Sequence, residues 1–91
     1  MNRVVRFTPE AQVQLDEIET FIALAGAPET AARYVDSIVA FCEELAMFPL
    51  RGVAREDLYP GLRVTNYKGR TVVAYIVATD VIGIVGIFYG G

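Results

Sequence analysis

Two stretches of the chain each open on a proline and then repeat an apolar residue every three or four positions, and only about three residues separate them. The first begins at Thr8-Pro9-Glu10. Thr8 is a favourable N-cap, and Pro9 suits the first helical position, where a missing N–H costs nothing. Glu10 complements the positive start of a helix. Ala11, Leu15, Ile18, Ile22 and Ala25 then follow in steps of 4, 3, 4 and 3, one side of an amphipathic helix. Gly26 ends it. Pro28-Glu29 open a second helix with the stripe Ala31, Val35, Ile38, Cys42 and Leu45. Tyr34, Phe41 and Phe48 join that stripe, and Pro49 is read as its stop. A connection this short makes the two helices antiparallel. A hairpin with one apolar side must be covered by the rest of the chain.

The rest of the chain reads as strands. Val4-Val5-Arg6-Phe7 is a short first strand. Leu50 to Gly61 is loop with room for a short edge strand. Leu62 to Tyr67 alternates, and Lys68-Gly69 is a turn. Thr71 to Thr79 is apolar on both faces, so it is expected to be central and covered on both sides, with Ile76 joining Ile38 in the core. Thr79-Asp80 is a second turn. Ile82 to Tyr89 is the last strand, and Gly83 and Gly86 within it predict a bulge or a close backbone approach. The order is β-α-α-β-β-β, an α+β fold with a helical hairpin on a mainly antiparallel sheet. With 91 residues, one domain spanning 1–91 is expected.

The available chemistry is narrow. The chain has no His and a single Cys, Cys42. Zinc sites built on Cys and His, Ser-His-Asp and Cys-His systems and a disulfide scaffold are all excluded. The acids Asp16, Glu17, Glu19, Glu43 and Glu44 read as solvated helix faces, so no metal site, cofactor or catalytic residue is expected. Cys42 lies on the apolar stripe and reads as a buried small hydrophobe. No apolar run reaches a membrane span and the N-terminus has no signal-peptide core, so a reduced, cytoplasmic setting is expected.

The net charge of −3 is unevenly placed. Residues 1–50 hold three bases and eight acids, residues 51–91 five bases and three acids. A local basic face is therefore possible on an acidic protein. Arg63, Lys68 and Arg70 lie on or beside a turn between strands, with Tyr89 near the end of the last strand. Arg63 and Arg70 are the preferred target contacts, because a guanidinium grips carboxylates and phosphates bidentately. The plain alternative for the bases is solubilising charge, and for Tyr89 closure of the core. Phe21, Leu24 and Phe41 lie off the main stripes and form a candidate exposed apolar strip.

Taken together, these segments resemble the RelE/ParE toxins. The similarity runs through Thr8-Pro9-Glu10-Ala11, Leu15-Asp16-Glu17-Ile18, Phe21-Ile22 and Ala32-Arg33-Tyr34. It continues in Leu45-Ala46-Met47-Phe48-Pro49-Leu50-Arg51-Gly52, Pro60-Gly61-Leu62-Arg63, Tyr75-Ile76-Val77 and Val85-Gly86-Ile87-Phe88-Tyr89-Gly90-Gly91. The long paired helices and the Phe-Pro-x-x-Gly segment place it nearer ParE. The resemblance implies a toxin of a type II toxin–antitoxin module, neutralised by a cognate antitoxin, for which Phe21, Leu24 and Phe41 are the candidate contacts. ParE-like toxins act on DNA gyrase without an active site of their own. RelE-like toxins cut mRNA on the ribosome with Lys, Arg and Tyr groups on the sheet. A basic residue after the last strand belongs to the RelE pattern, and Gly90-Gly91 stand there instead. An inactive toxin that still binds antitoxin is the third reading.

Overall fold

The computed structural model describes residues 3–90; Met1, Asn2 and Gly91, the last residue of the family-like closing segment, lie outside them. Seven elements follow in order: β1 (Val4–Phe7), α1 (Pro9–Leu24), α2 (Pro28–Glu44), β2 (Val53–Ala54), β3 (Leu62–Tyr67), β4 (Thr71–Val77) and β5 (Val81–Tyr89). The strands form one sheet in the order β1-β5-β4-β3-β2. All pairings are antiparallel except β1 with β5, which run parallel.

The helix starts follow from sequence. The Thr8 hydroxyl accepts a hydrogen bond from the Ala11 N–H at 3.1 Å, with Pro9 at the first turn. Gly26, at φ +95°, takes the left-handed conformation that releases the chain from α1. The end of α2 differs from expectation. The helix stops at Glu44, not at Pro49. Beyond it Ala46 and Met47 donate to carbonyls only three residues back, at 3.2 and 3.0 Å. The last turn tightens because the residue before a proline is driven out of helical geometry, and Phe48 is that residue.

Both helices lie on one face of the sheet. The core between the layers joins Leu15 and Ile18 of α1, Ile38, Cys42 and Leu45 around α2, and Val73, Tyr75, Ile82, Ile84 and Ile87 of the two central strands. β4 is central, as expected, but it ends at Val77 and is covered on one side only. Thr71, Val73 and Tyr75 face the helices; Val72, Ala74 and Ile76 face the other way and are half-buried. An apolar strand with no helices beyond it simply leaves an apolar open face. Ile76 is therefore not in the core: the period of 2 along a strand puts it opposite Tyr75. The bulge expected in the last strand is present, as the register slips between Ala74 and Tyr75 so that Val85 is the extra residue.

The Lys68-Gly69 turn also forms, with positive φ at both residues (54° and 75°), the signature of the turn that suits a twisted hairpin. The Asn66 side-chain oxygen accepts from the Gly69 N–H at 2.7 Å. These placements separate two isoleucines by cost. Ile38→Ala, fully buried, is expected to lose about 2–5 kcal/mol. Ile76→Ala should lose less, roughly 1 kcal/mol, since its side chain is only partly covered and lies outside the core. Chemical denaturation midpoints measure both, and equal losses would contradict the one-sided sheet.

Candidate functional site

The four polar candidates divide between the two ends of β3. Lys68, Arg70 and Tyr89 gather at the hairpin end: Tyr89 pairs with Thr71, next to Arg70, and Gly90 donates to the Arg70 carbonyl at 2.9 Å. Arg63 sits at the other end of β3, five residues from Lys68, about 16 Å along the strand.

Arg63 has a task of its own. Its side chain is out of phase with Leu62 and Val64, as the alternation implied, and so points to the helix side. There its Nη2 donates to the Leu50 carbonyl at 3.0 Å and also to the Gly52 carbonyl. Its cross-strand neighbour Tyr75 is fully buried. The Tyr75 hydroxyl donates to the Pro49 carbonyl and accepts from the Gly52 N–H, both at 2.9 Å. Two side chains from adjacent strands thus hold the 49–52 loop against the sheet. Gly52 is required by space: a Cβ there would lie 2.6 Å from the Val64 carbonyl oxygen. The Phe-Pro-x-x-Gly spelling is the visible trace of this clamp. The roles of Tyr75 and Arg63 in it are not visible, because both partners are backbone groups far away in sequence.

The hairpin end carries a row of aromatic rings. Phe21 meets Tyr89 at 6.0 Å, Tyr89 meets Tyr34 at 5.8 Å, Tyr34 meets Tyr67 at 6.1 Å and Tyr67 meets Phe41 at 4.7 Å. The Arg51 guanidinium extends the row, lying 5.1 Å from the Phe41 ring centre and 5.3 Å from that of Phe48. Lys68 sits over Tyr67 at 5.5 Å. Tyr34 is anchored by a 2.6 Å hydrogen bond with the buried Thr71 hydroxyl. Of the apolar candidates, Phe21 is brought together with Tyr89. Phe41 lies inside the row and is half-buried. Leu24 stands apart at the end of α1, 83% exposed.

Little here is tuned for proton transfer. Burial, with the Glu43 carboxylate adding to it, pushes the Cys42 thiol up to about 12. A thiol held that high is un-ionised and inert at neutral pH. The exposed Arg55–Asp57 pair, bonded at 3.0 and 3.1 Å, draws the Asp57 carboxyl below its ordinary range through that hydrogen bond. Among the described residues no three His, Cys, Asp or Glu side chains converge as a metal site would need.

The open face of the sheet is the other feature. Leu62, Val64, Val72, Ala74, Ile76 and Phe88 lie on it by register and alternation, and Phe88 is 54% exposed. Residues 5–91 match the family model described as ParE toxin of the type II toxin–antitoxin system parDE. The chain belongs to the ParE toxin family. No curated protein matches its sequence. Among solved structures, the toxin is similar to a chain of the chromosomal ParDE toxin–antitoxin system of P. aeruginosa, with 23% identity, a TM-score of 0.82 and coverage of 98% of this chain and 97% of that one. It is also similar to a chain of the RelBE2 toxin–antitoxin complex of Mycobacterium tuberculosis, with 20% identity, a TM-score of 0.71 and coverage of 98% and 99%. These likenesses establish the RelE/ParE fold, and the family model places the toxin on the ParE side.

The clamp is directly testable. Tyr75→Phe should cost about 1–3 kcal/mol, because it strands the buried Gly52 N–H. Gly52→Ala should cost a similar 1–3 kcal/mol through overpacking against backbone. Unfolding midpoints of both variants, with faster amide exchange at Gly52 in Tyr75→Phe, check this; unchanged stability in both would dismiss the clamp.

Proposed function

We propose that the chain, acting as a single domain, is the toxin of a type II toxin–antitoxin pair that inhibits DNA gyrase by binding and is neutralised by its cognate antitoxin. The observation that carries this reading is the open sheet face. Most of its strand positions are apolar, with Asn66 and Arg6 as the polar ones; Arg55, already bonded to Asp57, stands beside it next to Val64 and Asn66. Cutting RNA needs a base for the 2′-hydroxyl, an acid for the leaving oxygen and cations on the phosphate. A face of mostly Leu, Val, Ala, Ile and Phe, with Arg6 at one edge and Arg55 at the other, gathers no such set around one point, whereas it suits contact with another protein. The acidic net charge also opposes tight RNA binding, which leans on phosphate neutralisation.

We assign target contact to the hairpin end, with Lys68, Arg70 and Tyr89 presented beside the aromatic row. Arg63 contributes through the 49–52 loop it holds. Gyrase as target places the toxin's work in the cytoplasm, in keeping with the finding that no helix among the described residues is long and apolar enough to cross a membrane. The decisive experiment releases the toxin from its antitoxin, refolds it and runs two assays side by side. Gyrase supercoiling should fall with accumulation of cleaved DNA complexes, and mRNA on programmed ribosomes should stay intact. Cleaved mRNA with unimpaired gyrase would reverse the assignment in favour of the RelE-like nuclease. Arg70→Ala with Lys68→Ala should reduce gyrase inhibition at least about tenfold, the loss of two charged contacts, while antitoxin binding persists.

A further inference from the structure

The two edges of the sheet are guarded differently. An edge strand is ordinarily blunted by charge, by proline or by a covering element, because its outward backbone groups invite another strand. At one edge β1 carries the exposed Arg6. At the other, β2 carries only Val53 and Ala54, and both are exposed. Exposed apolar side chains crowd around that second edge. Of the eleven large ones among the described residues, six lie within residues 47–59: Met47, Phe48, Leu50, Val53, Leu58 and Tyr59. The hydrogen bonds from Tyr75 and Arg63 hold the 49–52 part of this segment against the sheet, so the patch stands on a fixed frame.

We propose that β2 pairs with β2 of a second copy of this chain, antiparallel about a two-fold axis at Ala54, so that two five-stranded sheets become one. The inference concerns the toxin's own assembly and holds whatever its target is. The backbone supplies the joint. The Arg55 N–H bonds the Leu62 carbonyl at 2.8 Å, and inward and outward groups alternate along an antiparallel ladder. The N–H and C=O of Ala54 therefore point away from the sheet, and a two-fold axis there lets two copies exchange both bonds. The same register sorts the side chains. A residue before Ala54 falls at the same end of the joint as the residue equally far after Ala54 on the other copy. Arg51 then falls with Asp57, opposite in charge, and Pro49 and Leu50 fall with Tyr59 and Leu58. Phe48 to Arg51 line a hollow of about 470 Å³ at that end. Charge selects a second copy over a charged partner. Arg51 pairs with Glu44 at 3.4 Å and Arg55 with Asp57 at 3.0 Å, while Glu56 accepts from the Gly61 N–H at 3.0 Å. Residues 47–59 hold two bases and two acids and are neutral as a whole. A second copy at β1 would instead bring Arg6 toward its own like. The area also suffices: six side chains more than half exposed, at roughly 100 Å² each, give about 1,200 Å² over two copies, the lower bound of a stable interface.

The test is sedimentation equilibrium of the refolded full chain over a concentration series, for the wild type, Ala54→Pro and Val53→Lys, each checked for native circular dichroism. Proline at Ala54 removes only the outward N–H, a change that edge strands tolerate. Lysine at Val53 is exposed and, by the register above, stands beside Arg55 of the other copy. The wild type should show a dimer, and each variant should raise its dissociation constant at least about tenfold, through lost backbone bonds in one and like-charge repulsion in the other. The Val53→Lys loss should shrink as salt screens the charges. A wild type that stays monomeric across the series would overturn the proposal. So would a dimer whose constant is unchanged in Val53→Lys, or one unchanged in a folded Ala54→Pro, since either result places the contact away from β2.

Discussion

The buried hydroxyl of Tyr75 is where the two halves of this fold are tied together. It reaches from the central strand to the Pro49 carbonyl and the Gly52 N–H, both at 2.9 Å. Neither backbone group has a regular partner, since the segment lies between α2 and the first residue of β2. A tyrosine with its ring in the core and its hydroxyl in a polar contact satisfies both at once. Much else follows from that contact. The held loop delivers Val53 to pair with Val64, which sets the outer edge of the sheet. It also brings Arg51 onto the Phe41 and Phe48 rings, with a 3.4 Å ion pair to Glu44. The end of α2, the edge strand β2 and the aromatic row therefore share one anchor.

The helices were legible in the sequence because the local signals agreed: proline, acid and stripe marked both starts, and Thr8 added a cap to α1. β3 was legible for the same reason, and the bulge was announced by the glycines of β5. What was not legible depended on what lies across the sheet. Ile76 belongs to a strand that is apolar at every position from Val72 to Val77, so periodicity gave no phase, and only the one-sided placement of the helices puts Tyr75 inward. The stop of α2 at Glu44 was hidden because Leu45 and Phe48 keep the helical spacing while the backbone already turns more tightly. Arg63 resisted reading for a further reason. A guanidinium that feeds backbone carbonyls looks the same in sequence as one that waits for a ligand. At the candidate site, the grouping of Lys68, Arg70 and Tyr89 followed from the turn, whereas their meeting with Phe21 required the packing of α1 over β5.

The two faces of the sheet divide the labour. The helix-covered face holds nearly all of the buried residues and carries the stability. The open face is apolar without being covered, an expensive way to meet water. Its surface is moderated from within: Phe88 lies where a Cβ on Gly86 would come within 2.8 Å of its ring, so the ring folds onto the glycine and shields the bulged backbone. A mostly apolar face suits docking against another protein better than it suits holding a reacting phosphate, which needs converging charges.

A small domain buries a smaller share of its surface than a large one, so each exposed apolar side chain is a burden that folding alone does not justify. In α1 that burden is concentrated rather than scattered. Val13, Phe21 and Leu24 share one side of the helix with Glu10 and Glu17, and the carboxylates keep this side soluble while it is uncovered. The same carboxylates discourage the helix from pairing with its own copy, since like charges would meet along the seam. Lys68 and Arg70 stand at the hairpin beyond the aromatic row, away from that acidic side of α1.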